Sequence, residues 1–147
     1  MTISERVKGD MLAAMKAGER AQTGTLRLLL SELQKAAKEH PDAGPDGELA
    51  VLRRERKRRL EAERAYRDAG RDDLAEGEQA ESRVIAGYLP AELSDEALGE
   101  IVRRAVNEAG ASELKDLGRV MGLAIAAVDG RADGRRVSAL VRGALAS

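Results

Sequence analysis

The sequence predicts an all-α protein, an N-terminal four-helix unit followed by a small C-terminal three-helix domain. Three observations carry this. Ala, Leu, Glu and Arg dominate and all favour helix, while β-branched and aromatic residues are scarce; Tyr66 and Tyr88 are the only aromatics. Apolar residues recur at helical spacing in one segment after another. The prolines, Pro41, Pro45 and Pro90, stand at breaks between those segments.

Taken in order, Thr2 with Glu5 three residues on forms a capping box, which opens a helix over 3–17. Val7, Met11, Leu12 and Met15 form its apolar stripe, and Gly18 stops it. The second helix covers 22–39, with Leu26, Leu29, Leu30, Leu33 and Ala37 on one face. Residues 40–47, HPDAGPDG, read as a loop from their Pro, Gly and Asp content. A third helix starts after Asp46 and continues to Ala69. Gly70 interrupts, and a fourth helix covers 72–88, with an inner stripe of Leu74, Glu78, Glu81, Ile85 and Tyr88. Pro90 disfavours helical geometry at Leu89 and closes this part of the chain.

Ser94 caps a fifth helix over 95–109, with Asp95 and Glu96 in the first turn, where the dipole favours anions. Gly110 ends it. Ser112 caps a sixth helix over 113–128, carrying Leu114, Leu117, Met121, Ile125 and Val128. Gly130 stops that helix, and Asp133 caps a seventh over 134–146 with Val137, Leu140, Val141 and Ala144. The shift in composition at Pro90 predicts two domains, residues 1–90 and 91–147. The second is of a size at which a lone core is marginal.

Residues 51–64, VLRRERKRRLEAER, concentrate basic side chains in a chain whose 25 basic and 26 acidic residues leave a net charge of −1. A dedicated nucleic-acid binder shows an overall basic excess, so any electrostatic footprint here is local. On a helix, Glu55 reaches Arg59, Lys57 reaches Glu61, Arg59 reaches Glu63 and Glu63 reaches Arg67, all at i,i+4. A hairpin turning at Gly70 sets Arg56 and Arg59 across from Glu78 and Glu81, which need cationic partners on an otherwise apolar stripe. The stretch therefore reads as a charged structural hairpin, with a patch for RNA phosphates as the alternative. No aromatic residue interleaves the arginines, so a base-stacking platform is not expected.

The chain has no cysteine, hence no disulfide, thiol catalysis or thiolate metal site. His40 is the only histidine and stands beside Pro41 in the loop; no cluster has metal-ligand spacing. No glycine-rich phosphate cradle or nucleophile elbow occurs. Ser31, Ser82, Ser94, Ser112, Ser138 and Ser147 lack a base partner, so neither a catalytic residue nor a cofactor is expected. No apolar run suits a membrane span, and the first fifteen residues include Glu5 and Asp10, which a transit peptide avoids. A cytoplasmic protein is the expectation; the sequence leaves its oligomeric state open.

Three segments carry a family resemblance. GRDDLAEGEQAESRVIAGYLPAELSDEAL (70–98) resembles the central signature of the YqeY proteins, RRERKRRLEAERAYRDAGR resembles the basic helix before it, and ELKDLGRVMGLAIAAVDGRADGRRVSALVRGAL (113–145) resembles the family's ending. The C-terminal part is similar to the tail domain of GatB, the B subunit of the glutamine-dependent tRNA amidotransferase. The resemblance implies a helical bundle with a small helical tail domain, and a family label of carbon–nitrogen ligase with glutamine as amido-N donor. The amidase and kinase-like catalytic parts of that enzyme have no counterpart motif here. The expectation is therefore a non-catalytic module that binds tRNA or an amidotransferase complex, with a protein–protein adaptor as the alternative. Residues 119–147 hold five basic and two acidic residues, so Arg119, Arg131, Arg135, Arg136 and Arg142 are the RNA-binding candidates. Arg131 to Arg136 surround a helix start, whose free amides also favour phosphate.

Overall fold

The computed structural model describes residues 1–146; Ser147 lies outside the described residues. These residues form seven α-helices and no strand: α1 (Ile3–Lys16), α2 (Arg20–Glu39), α3 (Gly44–Asp68), α4 (Asp72–Ala86), α5 (Asp95–Ala109), α6 (Leu117–Val128) and α7 (Gly134–Ala146). A single 3-10 turn, Leu114–Asp116, precedes α6. The chain divides into two compact units, Met1–Pro90 and the remainder from Ala91.

In the first unit Thr2 Oγ1 accepts from the Glu5 amide at 3.1 Å, and the Glu5 carboxylate accepts from the Thr2 amide at 2.9 Å. The next two amides are satisfied from a distance. Glu48, on α3, accepts from Ile3 N at 3.3 Å and from Ser4 N at 2.8 Å, and Ser4 Oγ donates to it at 2.9 Å. A carboxylate there also complements the positive end of α1. The core consists of Val7, Ala14, Leu26, Leu29, Leu30, Leu33, Val51, Leu52 and Ile85.

The buried seams are narrower than the sequence predicts. On α1 the seam is Ile3, Val7, Met11 and Ala14, which leaves Leu12 and Met15 about half exposed. On α2, Ala36 rather than Ala37 packs on the core. On α3, Val51 is buried and Leu60 is exposed. On α1 and α2 the misplaced residue lies one position off an i,i+3/i,i+4 ridge, which periodicity reads as the same face. α3 also starts at Gly44, earlier than predicted, because Pro45 falls in the first turn, where its missing N–H goes unmissed. The sharp turn into α4 needs Gly70 in a left-handed conformation (φ 74°), with Arg71 N donating back to Tyr66 O at 2.8 Å.

The second unit packs Leu98, Val102, Ala105, Val120, Ala124, Val128, Val137, Val141 and Leu145 together. Ser94 caps α5, accepting from Ala97 N at 3.1 Å. Gly110 ends that helix at φ 62°. Ser112 does not cap α6. Instead the Asp116 carboxylate accepts from the Ser112 and Glu113 amides at 3.1 and 3.3 Å, which winds 114–116 into the tighter turn. The seams on α6 and α7 are Val120–Ala124–Val128 and Val137–Val141–Leu145. Leu114, Ile125 and Leu140 are therefore exposed, against the predicted stripes.

Candidate nucleic-acid interface and the hairpin ion-pair network

The five C-terminal arginines divide by what they hold. Arg131 caps α6: Nε donates to Val128 O at 2.9 Å and an η-nitrogen donates to Ala127 O at 3.0 Å. Val128 O accepts from the Arg131 amide as well, at 3.1 Å, so side chain and backbone of one residue together close the helix end. Asp129 and Gly130, both at positive φ, turn the chain so that Arg131 can reach back. Arg136 donates to Leu93 O at 3.0 Å and to Asp95 Oδ1 at 2.8 Å. Leu93 N in turn donates to Arg131 O at 2.8 Å. The turn after α6 and the first turn of α7 thus clamp both backbone groups of Leu93 and fix the entry to α5. Asp133 caps α7 by accepting from Arg135 N at 2.8 Å.

Arg119, by contrast, is exposed and pairs with Asp116 at 2.8 Å. The Ser112 amide and then Arg119 hold the Asp116 carboxyl below the usual carboxylate range. Arg135 and Arg142 present exposed side chains, seven residues apart on α7, with Arg142 Nε donating to Ser138 Oγ at 3.2 Å. A seven-residue interval puts both on one face, about 10 Å apart. Of the five, then, Arg135, Arg142 and Arg119 face solvent, while Arg131 and Arg136 are structural.

In the first unit the hairpin of α3 and α4 centres on a residue not singled out as a site by sequence. Glu55 is 3% exposed, and Arg59 Nη1 stands 2.6 Å from its Oε1. Arg58 and Arg54 approach its other oxygen at 3.2 and 3.5 Å. Burial pushes the Glu55 carboxyl up, but the Arg59 hydrogen bond and the charges of Arg59, Arg58 and Arg54 outweigh it and hold the carboxyl below its ordinary value. Arg59 also reaches across to α4, with Nε 3.4 Å from Glu81 Oε2. Arg59 therefore turns back to Glu55 rather than forward to Glu63, which pairs with Arg67 at 3.2 Å.

The predicted stripe of α4 is corrected. Ala75, Ser82 and Ile85 are its buried residues, and Leu74 is exposed. Small residues at 75 and 82 let the two helices approach closely, and Ser82 Oγ satisfies itself on Gln79 O at 2.7 Å. Glu78 and Glu81 are partly buried beside this seam, and Arg56 is partly buried on α3. Burial and then the neighbouring Glu81 push the Glu78 carboxyl above the ordinary range, against the pull of Arg59.

Tyr88, just past α4, ties that helix to α1. Its hydroxyl donates to Asp10, and the Arg6 guanidinium lies over its ring at 5.2 Å from the centroid. Burial and then Asp10 push the phenol well above its ordinary value, so it stays a donor at any physiological pH. No group of three or more His, Cys, Asp or Glu among the described residues is arranged to hold a metal.

Comparison with known proteins gives one family. The model of the Yqey-like proteins matches residues 4–145. A Pyrenophora tritici-repentis protein named altered inheritance of mitochondria protein 41, mitochondrial, is 29% identical over 132 residues, which cover 86% of this chain and 71% of that protein. An uncharacterized protein of Schizosaccharomyces pombe is 31% identical over 90 residues, 60% of this chain and 73% of that one.

Proposed function

The chain belongs to the YqeY-like family, and from that premise we propose that it is a cytoplasmic, non-catalytic accessory module that binds tRNA or an amidotransferase complex. The observation that carries the reading is the exposed pair Arg135 and Arg142 on one face of α7, in a unit similar in sequence to the GatB tail domain. The contacts are to phosphate. Arginine suits bidentate phosphate binding, and no aromatic side chain stands in this unit to stack a base. Such contacts position an RNA without reading its sequence.

The test is a titration of labelled tRNA against the parent and an Arg135→Ala/Arg142→Ala variant at two salt concentrations. The variant is expected to bind more weakly, with a shallower salt dependence, and about equally so for different tRNAs. Arg131→Ala is the control for fold. It is expected to lower the stability of the C-terminal unit by about 1–2 kcal/mol through loss of the α6 cap. A parent that binds no tRNA at low salt overturns the RNA reading.

The module is expected to be inert alone. Incubated with glutamine, ATP, magnesium and misacylated tRNA, the purified chain releases no ammonia and amidates nothing; measured turnover would refute this. A second reading, a protein–protein adaptor, is favoured by the half-exposed Leu12 and Met15 on α1 and Leu28 on α2. A parent that binds no tRNA at low salt yet retains a protein partner would decide for it.

A further inference from the structure

The long helix α3 is sorted by charge. Among residues 51–67 the exposed charged side chains are Arg54, Lys57, Arg58, Arg64 and Arg67, with Glu61 the single exposed carboxylate. The other two carboxylates, Glu55 and Glu63, are turned inward, at 3% and 17% exposure. At 100° per residue, Arg54, Lys57, Arg58, Glu61 and Arg64 share one face and extend for about 15 Å along it. A chain with net charge −1 thus presents a local cationic strip, because its acidic partners have been drawn beneath the surface.

We infer that this face of α3 is a second RNA-backbone contact, in which Lys57 and Arg64, flanked by Arg54 and Arg58, bind successive phosphates. The inference rests on the RNA reading above and extends it to the N-terminal unit. Two observations favour a nucleic-acid backbone over an acidic protein. First, the strip carries no apolar cluster: Arg54, Lys57, Arg58, Glu61 and Arg64 are all charged and Leu60 is the one large exposed apolar side chain at its border, whereas protein interfaces gather their binding energy at clustered aromatic or aliphatic residues. Second, the cations follow the helix axis in a line, which suits a ligand of regularly repeated charge.

The strip is partly neutralised from within. Arg54 touches Glu32 and Glu55, Arg58 touches Glu55, and Arg67 touches Glu63. Those three arginines are engaged in ion pairs of the first unit as well as facing solvent. Lys57 and Arg64 have no ion pair within 4.0 Å among the described residues, so their removal tests binding without disturbing the fold.

The experiment compares the full-length parent with Lys57→Ala/Arg64→Ala, using fluorescence anisotropy with labelled tRNA at several salt concentrations. Unchanged urea midpoints establish that both are folded. Loss of two phosphate contacts is expected to weaken binding about tenfold or more at low salt and to flatten the slope of log affinity against log salt by about 1.4–1.8. The Arg135→Ala/Arg142→Ala variant is run alongside, with inorganic polyphosphate as competitor. If the parent binds and the α3 variant matches it in affinity and slope, the strip is not an RNA contact, while the tRNA reading stands. If the parent binds no RNA, both fail together. If polyphosphate displaces tRNA as well, charge for charge, as unlabelled tRNA does, the assignment to an RNA backbone is overturned.

Discussion

Glu55→Ala is expected to lower the stability of the N-terminal unit by about 3 kcal/mol, within the range for breaking a buried ion pair by removing one partner. The cost lies in what is left behind. Arg59 is 12% exposed and keeps only Glu81, which is 36% exposed and 3.4 Å away, and a 3.4 Å hydrogen bond to the backbone carbonyl of residue 55. The short 2.6 Å contact to Glu55 is the one that compensates its desolvation. Arg54 and Arg58 are more than half exposed and return to water, so they add little to the loss. Glu81→Ala, by the same reasoning, removes a half-exposed partner from an arginine that is still paired, and costs about 1 kcal/mol or less. A double-mutant cycle of Glu55→Ala with Arg59→Ala isolates the pair, and a coupling below about 0.5 kcal/mol would show that water screens it.

The sign of the pH dependence follows. The folded-state carboxyl of Glu55 sits below its ordinary value of 4.5. The ionised form is therefore favoured by folding, and its contribution is fully present above the unfolded value. It is lost as pH falls through the depressed folded value. The stability gap between parent and Glu55→Ala is expected to be constant near neutrality and to close only in acid, below 4.5. Urea unfolding of both proteins at pH 7 and in acid reads it directly. A gap that widened in acid would contradict the arrangement.

The hairpin was legible from the sequence in outline. Composition gave helices, Gly70 gave the turn, and antiparallel packing set basic residues across from Glu81. The identity of the buried carboxylate was not legible, for a physical reason. Glu55 lies inside a run in which most neighbours are arginines, and periodicity alone cannot say which member of a charged run faces inward. The deciding partner reaches to the other helix: Arg59, itself nearly buried, holds Glu55 at 2.6 Å while its Nε stands 3.4 Å from Glu81 on α4. The i,i+4 spacing of Glu55 and Arg59 is the signal that could have located it.

The C-terminal arginines teach a related point. Arg131, Arg135 and Arg136 are close in sequence and look alike as a phosphate cluster. The structure gives Arg131 to the carbonyls that end α6 and Arg136 to Leu93 and Asp95. Residues of the segment that carries the family resemblance therefore build the unit as well as face solvent. Tyr88 of the YLP segment is similar. It reads as the last member of the fourth helix's inner stripe, yet its hydroxyl and ring bind Asp10 and Arg6 of α1, far away in sequence. Long-range partners of this kind leave no local pattern.

Leu98→Ala is expected to remove most of the stability of the C-terminal unit. Its core contains two leucines, Leu98 and Leu145; the other buried members are valines and alanines. Leu98 is fully buried, and the other fully buried members of the cluster are mostly β-branched valines with little freedom to fill the space; the longer Leu117, Met121 and Leu123 pack only at its edge. Cutting Leu98 back to alanine loses its transfer free energy and leaves a cavity, about 3 kcal/mol in all. A unit of this size draws only about 3–5 kcal/mol from a single core, so the loss is comparable with the whole. The clamp made by Arg131 and Arg136 on Leu93 stands close to α5 and does not replace the missing volume. Native-state hydrogen exchange is the measurement. Amides of Val102, Ala124 and Val141, one on each helix of the unit, are expected to lose about a hundredfold in protection, as 3 kcal/mol requires, each 1.4 kcal/mol being about tenfold. Leu114→Ala, at a half-exposed position outside the core, serves as the comparison and is expected to change protection by less than about threefold. If Leu98→Ala shifts the three amides by less than tenfold, the core is able to collapse around the deletion, and the account of it as a valine and alanine seam that depends on its fully buried leucine is wrong.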